Sequence, residues 1–474
     1  MKYFKFKHVV TLLLGLLLLV YSTNSIAYAD RNLKAPESPI NLTVTEVTES
    51  SVSLKWQKPQ KGRTIKKYKI YKNSTYTNST STTTYTIENL KPSTEYEFYI
   101  RSEAGINNVS MASESITVKT KDSTTLGNII VGYYPAWKAY SGYTPDKLDA
   151  KKLTHVNYAF AYIGQDNKLK LGYPDIDPGN FKKLNDLKKE NNNLKVLLSV
   201  GGWNWSGQFS NTAATEAARK LFAESCVDII TKYKIDGIDL DWEYPVGGGL
   251  ATNSKRPQDK QNFTLLLKEI RDNLDKQEQI DNKQYFLTIA GGASSYYLKN
   301  IEPSKISEYI DYANIMTYDL HGPWDPYSDY NAPLYNQSKA SPQYKISVDT
   351  SVNLWVNAGI PKEKLVVGVP FYGYMYMVNK STANGHLQKF TEGKALSYNS
   401  IKSNYLNNYD KFFDSESKVP YLFEKNTFIS YDDEKSLKFK AEYIKSEGLA
   451  GVMIWELSQD HNSELLNSLY EVLK

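Results

Sequence analysis

The stretch Asp236-Gly237-Ile238-Asp239-Leu240-Asp241-Trp242-Glu243-Tyr244-Pro245 alternates apolar and acidic side chains with a period of two. In a strand over Ile238–Trp242, successive side chains point to opposite faces. Asp239, Asp241 and Glu243 then share one face, and Ile238, Leu240 and Trp242 share the other. A solvated acidic loop has no reason to place apolar residues at alternate positions. Three acids lining one enclosed face are costly unless each is hydrogen-bonded or shares a proton. Such crowding raises at least one pKa, and a raised carboxylic acid is what proton donation near neutral pH requires. A metal site would need further oxygen or imidazole ligands, and none cluster in the neighbouring sequence. The stretch predicts a catalytic strand with Glu243 at its open end and with no metal.

Outward from it, apolar β-branched runs recur between helical stretches: Ile129–Tyr133, His155–Tyr162, Lys195–Val200, Gly237–Asp241, Phe286–Ala290, Ala313–Thr317, Leu365–Val369 and Gly451–Trp455. Eight buried strands alternating with helices predict a TIM (β/α)8 barrel over residues 127–474. A doubly wound open sheet is the competing architecture. It would carry a glycine-rich phosphate loop after its first strand, where this chain has Tyr133-Tyr134-Pro135-Ala136-Trp137. Between about 374 and 431 the βα rhythm breaks into short β-like pieces rich in Tyr, Asn, Lys and Phe. This segment is expected to be an inserted α+β subdomain that walls the open face of the barrel.

Residues 36–121 have a different texture, with short alternating segments such as Val52-Ser53-Leu54-Lys55-Trp56 and Tyr96-Glu97-Phe98-Tyr99-Ile100. They predict an all-β sandwich. The segment resembles a fibronectin type III domain, with Trp56 at the core tryptophan and Leu90–Tyr96 as its tyrosine corner. Its expected role is that of a spacer, with glycan binding as the alternative. A polar stretch over 122–127 links the two parts.

The N-terminus has Lys2, Lys5 and Lys7 ahead of an apolar run from Val9 to Val20, followed by Ala27-Tyr28-Ala29. That is the pattern of a cleaved signal peptide over residues 1–29, and secretion without membrane attachment is expected. The apolar run is short for a membrane span. The formal charge of +5 includes the three leader lysines, and no basic stripe occurs elsewhere, so a nucleic-acid partner is excluded. Cys226 is the sole cysteine. Its apolar helical setting reads as core, leaving stability to packing. The 38 tyrosines and 8 tryptophans suit a sugar-binding surface and equally an extracellular β-rich domain.

On its motifs the chain resembles glycoside hydrolase family 18. The family signature Asp-x-x-Asp-x-Asp-x-Glu is matched by Asp236, Asp239, Asp241 and Glu243. Ser-x-Gly-Gly is matched by Ser199, Gly201 and Gly202, and Met-x-Tyr-Asp by Met316, Tyr318 and Asp319. Trp455 matches the tryptophan that floors the reactive-sugar subsite. The resemblance implies a chitinase acting on N-acetylglucosamine polymers without a cofactor, and a monomer is expected. It implies Glu243 as proton donor, with the substrate acetamido oxygen attacking the anomeric carbon. Asp241 would steady the acetamido nitrogen, Asp239 would share a proton or hydrogen bond with Asp241, and Tyr318 and Asp319 would position the sugar. Tyr133, Phe160, Trp203, Met316, Trp324 and Tyr372 are expected to line the substrate path, whereas Trp242 has the wrong parity and belongs to the core. The competing functions are an endo-β-N-acetylglucosaminidase acting on N-glycans, a lectin that has lost catalysis, and an adhesin working through the fibronectin-like segment. The acid at Glu243 argues against the lectin.

Overall fold

A computed structural model describes residues 35–48, 51–88, 90–91, 94–105, 108–120, 128–338 and 345–474. The leader expected over 1–29 and the linker over 122–127 lie outside the described residues. The chain divides into two units, residues 1–125 and 126–474. Among the described residues no helix is long and apolar enough to cross a membrane.

The first unit is built from antiparallel strands. Ile40–Val47, Val52–Gln57 and Thr84–Ile87 form one sheet, while Lys67–Lys72, Thr75–Thr80, Glu95–Gly105, Asn108–Val109 and Ile116–Lys119 form the other. Alternation decides what is buried: Tyr96, Phe98 and Ile100 face inward and Glu97, Tyr99 and Arg101 do not. Trp56 lies in this core, edge-on to Tyr68 with centroids 5.4 Å apart. The Tyr96 hydroxyl accepts the Lys91 backbone N–H at 2.9 Å, closing the expected corner.

The second unit is a closed parallel barrel. Its strands are β1 (Ile129–Pro135), β2 (His155–Ile163), β3 (Lys195–Gly201), β4 (Gly237–Asp241), β5 (Phe286–Gly292), β6 (Tyr312–Met316), β7 (Leu365–Pro370) and β8 (Gly451–Trp455). Each pairs with the next, and β8 pairs with β1 to close the ring. Closure leaves no strand edge in the ring and turns one residue in two toward an enclosed interior. The outer layer includes α1 (Asp177–Leu187), α2 (Glu216–Tyr233), α3 (Asp259–Asp281), α4 (Val348–Asn357), α5 (Glu434–Glu447) and α6 (Glu464–Leu473). Local sequence starts several of these helices. Thr215 and Ser347 accept N–H groups in the first turns of α2 and α4, and Asp433 with Ser436 forms a capping box on α5. Ile238, Leu240 and Trp242 pack outward into the helical layer, where the Trp242 ring stacks on Phe209 at 5.3 Å and meets Phe263 of α3 edge-on. Cys226, on α2, is fully buried in the same core.

After β7 the chain forms a five-stranded antiparallel sheet from Tyr372–Val378, Phe390–Ser397, Asp410–Asp414, Val419–Glu424 and Thr427–Ser430, with a helix over Tyr398–Asn404. Its first strand begins two residues before the sequence reading placed it. Tyr372, Tyr374 and Tyr376 follow β7 directly, so the sheet grows out of the mouth of the barrel beside the C-terminal ends of its strands.

Candidate active site

Asp239 is the deepest of the three acids and is fully buried. The strand register explains how it is held, because Ser199 on β3 and Thr288 on β5 are its lateral partners. Their hydroxyls donate to its carboxylate at 2.8 and 2.6 Å. From across the barrel the Tyr133 hydroxyl donates at 2.6 Å and the Asn314 amide at 3.4 Å. Burial raises the Asp239 pKa, and these donors oppose the rise by stabilising the anion.

One step nearer the mouth, Asp241 is held well above the usual carboxylate range, first by burial and then by the charges of Glu243 and Asp239. Its Oδ1 is buried without a hydrogen-bond partner among the described residues, leaving an acceptor free inside the site. Beside it, Gly201 has φ 103°, and a Cβ there would come within 2.4 Å of the Asp241 carbonyl oxygen. Gly202 has φ 70°, and a Cβ there would strike the Phe160 ring at 2.7 Å. The glycine pair lets β3 end under the acids where no larger residue fits.

Glu243 follows β4. Its backbone N–H donates to the Ser206 hydroxyl at 2.8 Å, and its carbonyl accepts from the Asn253 amide at 3.0 Å. Burial pushes its carboxyl up to about 7, the Asp319 charge adds to the rise, and a hydrogen bond with Tyr244 works against it. Its proton is therefore held toward neutral pH, the condition for a general acid. Tyr318, just past β6, is buried, and the charges of Asp241, Asp319 and Glu243 all act on its hydroxyl. Among the described residues that hydroxyl has only the weak acceptor Met453 Sδ, at 3.8 Å, so it has donor capacity to spare for a ligand. The neighbouring Asp319 carboxylate accepts from the hydroxyls of Tyr372 and Tyr374, the latter at 2.7 Å.

The aromatic residues differ in burial and in ring contacts. Trp455, at the end of β8, is half-buried, stacked against Phe160 with centroids 5.8 Å apart and edge-on to Tyr133 at 5.5 Å. Trp137, which the sequence reading passed over, extends this row beyond Phe160 at 6.3 Å. Trp203 on the short helix after β3 is 49% exposed, and Trp324 in the loop after β6 is 61% exposed. Met316, at the end of β6, is half-buried in the inner cluster. Tyr133 points into the barrel interior from β1, and its hydroxyl donates to Asp239. The Tyr372 hydroxyl donates to Asp319 in the same way, so both rings are tied to the acids of the site.

Asp236, the first acid of the signature, stands apart from the others. It lies at the closed end of β4, paired with Lys188 and with Lys283 at 2.9 Å, and accepts the Val196 backbone N–H at 2.8 Å. These bonds pin the start of β4 and contribute nothing to the mouth. Sequence reasoning missed Thr288, Asn314, Ser206, Asn253, Tyr244 and Tyr374. Only Tyr244, adjacent to the signature, and Tyr374, two residues from Tyr372, carried any local signal.

Together the acids, the free acceptor on Asp241 and the donor on Tyr318 form an arrangement able to give up a proton at one point and to hold a polar group beside it. The sequence model of the glycosyl hydrolases family 18 matches residues 129–460, and that of the fibronectin type III domain matches residues 34–119. Chitinase A1 of Niallia circulans is 42% identical over 422 residues, a match covering 76% of this chain and 60% of that protein. Among solved structures, a family 18 N-acetylglucosaminidase from Paenibacillus barengoltzii is 40% identical with a TM-score of 0.67, covering 73% of this chain and 99% of that one. Chitinase ChiA74 from Bacillus thuringiensis is 38% identical with a TM-score of 0.69, covering 73% of this chain and 69% of that one.

Proposed function

This chain belongs to glycosyl hydrolase family 18, and from that membership we propose that it is a secreted chitinase cutting β-1,4-linked N-acetylglucosamine chains with retention of configuration. The observation that carries this reading is the division of labour among the acids: Glu243 is held near neutral pKa at the mouth, above an Asp241 whose charge is suppressed by burial and then by its acidic neighbours. Most retaining glycosidases use a second carboxylate as nucleophile, and this family departs from that scheme. Here the substrate's own acetamido oxygen attacks the anomeric carbon while Glu243 protonates the glycosidic oxygen, giving an oxazolinium ion and a free leaving sugar. Glu243, now a carboxylate, then takes a proton from water, which opens the oxazolinium from the same face as the departed sugar. The free Oδ1 of Asp241 accepts the acetamido N–H as positive charge grows on the nitrogen. The Tyr318 hydroxyl donates to the acetamido oxygen and holds it for attack, a positioning effect. Trp455 offers the flat apolar surface beneath the reactive sugar. Because these contacts tighten as the ring ion forms, they act on turnover more than on binding. Export is supported by the basic head and apolar run at the N-terminus.

The test is a time course on a hexamer of N-acetylglucosamine, with product lengths and anomers recorded. Short oligomers appearing first as the β-anomer support the proposal. An inverted product, or cleavage of an N-glycoprotein with the hexamer left intact, would overturn it.

A further inference from the structure

We propose that Asn331 is a positioning residue for Asp319, fixing the backbone that aims this carboxylate at the reactive sugar. The inference rests on the reading of the site given above, since it assumes that Asp319 faces substrate. Asp319 has φ 53°, in the left-handed region that residues with a Cβ seldom adopt, although aspartate tolerates it better than most. Asn331, twelve residues further along the loop that follows β6, supplies what holds it there. Its Oδ1 accepts the Asp319 backbone N–H at 2.8 Å, and its own carbonyl accepts the N–H of Leu320 at 3.0 Å. One residue thus takes both amides at the point where the chain turns.

The same side chain reaches the groups that hold the Asp319 carboxylate. Asn331 Nδ2 donates to the Tyr372 carbonyl at 3.3 Å, and Tyr372 is the residue whose hydroxyl donates to Asp319. The Asn331 backbone N–H donates to the Ser430 hydroxyl at 2.8 Å, and Ser430 is the strand partner of Tyr374, the second donor to Asp319. Asn331 therefore closes a ring of hydrogen bonds joining the backbone of Asp319 to the inserted sheet that carries both of its tyrosine donors. It is 1% exposed and so lies behind the cleft, where it acts through Asp319 and not on the sugar. The loop it pinches shut also presents Trp324, whose ring meets Tyr374 edge-on at 5.6 Å.

The experiment compares Asn331→Ala with Asn331→Asp, which keeps an oxygen for the Asp319 amide, on a tetramer of N-acetylglucosamine across pH. A displacement of the order of 1 Å is enough to lower turnover about a hundredfold, so Asn331→Ala is expected to lose roughly that factor in kcat while KM moves less than about threefold. Moving the Asp319 charge away removes part of what raises Glu243, so the alkaline limb of the rate profile shifts to lower pH in Asn331→Ala. Asn331→Asp is expected to recover kcat to within about tenfold of the parent without that shift. The proposal is overturned by Asn331→Ala turnover within about twofold of the parent, by a loss of turnover with the limb unmoved, or by an aspartate variant no better than alanine. Should Asn331→Ala fail to fold, Ser430→Ala loosens the ring at one bond; it must shift the limb in the same direction, and an unmoved limb counts against the proposal. A parent enzyme inert on the tetramer would sink the substrate reading alone. The positioning claim would then be decided by the structure of the variant, and an Asp319 still left-handed and bound to both tyrosines would end it.

Discussion

Replacing Glu243 by glutamine removes the proposed acid and leaves a neutral side chain of nearly the same shape in the same buried place. Two consequences follow, one for rate and one for stability. Loss of the proton donor should lower hydrolysis of N-acetylglucosamine oligomers by roughly a hundredfold to ten-thousandfold, while oligomer binding changes little. The stability effect has a definite sign. In the native protein the Glu243 carboxyl is raised from its ordinary 4.5 to about 7, burial being the main cause. Between those two values the unfolded chain has released a proton that the native protein still holds, so stability falls as pH rises through the window. Above about pH 7 the cost is complete and amounts to about 3 kcal/mol, taking 1.36 kcal/mol for each tenfold change in proton affinity. Glutamine does not titrate and removes that cost. Glu243→Gln should therefore melt together with the parent below about pH 4 and roughly 3–6 °C above it at pH 8, with the gap opening between 4.5 and 7. Calorimetric melting of both proteins from pH 4 to 8 reads this directly. A gap that is constant with pH, or one that closes as pH rises, would refute the claim that a buried, proton-retaining carboxyl sits at this position.

Three further outcomes are expected. Asp241→Asn should lower kcat by at least about a hundredfold with a much smaller change in oligomer affinity, since the hydrogen bond its Oδ1 accepts from the acetamido N–H matters most as the oxazolinium forms; equal losses in both would argue against that role. Tyr318→Phe removes a hydroxyl that among the described residues makes a single weak hydrogen bond, to Met453, so its melting temperature should stay within a few degrees of the parent while turnover drops about tenfold or more. Asp236→Ala leaves Lys188 and Lys283 without their shared partner at the closed end of β4, and should cost about 3 kcal/mol of stability. Any protein that remains folded should keep near-normal KM; a variant as stable as the parent would show that those ion pairs do not matter.

The barrel and its acidic strand were legible because both depend on short-range periodicity. Spacing of two along Asp239, Asp241 and Glu243 gives one face, and the apolar residues between them give the other, whatever the rest of the molecule does. Recurring apolar runs marked all eight strands to within a few residues, since a strand enclosed in a barrel has no solvated face to break the run. What periodicity cannot supply is the neighbour across an enclosed space. Tyr133 and Asn314 meet Asp239 from strands far away in sequence, and only the stagger and closure of the ring set which side chains face each other in its interior. The same holds for Asp319, whose tyrosine donors come from a sheet inserted more than fifty residues later and whose backbone is fixed by Asn331. Sequence alone thus determined which acids share a face and which end of the strand they occupy. The tertiary structure decided which of them keeps its proton, because burial, hydrogen-bond donors and neighbouring charges reach each carboxyl through space and not along the chain.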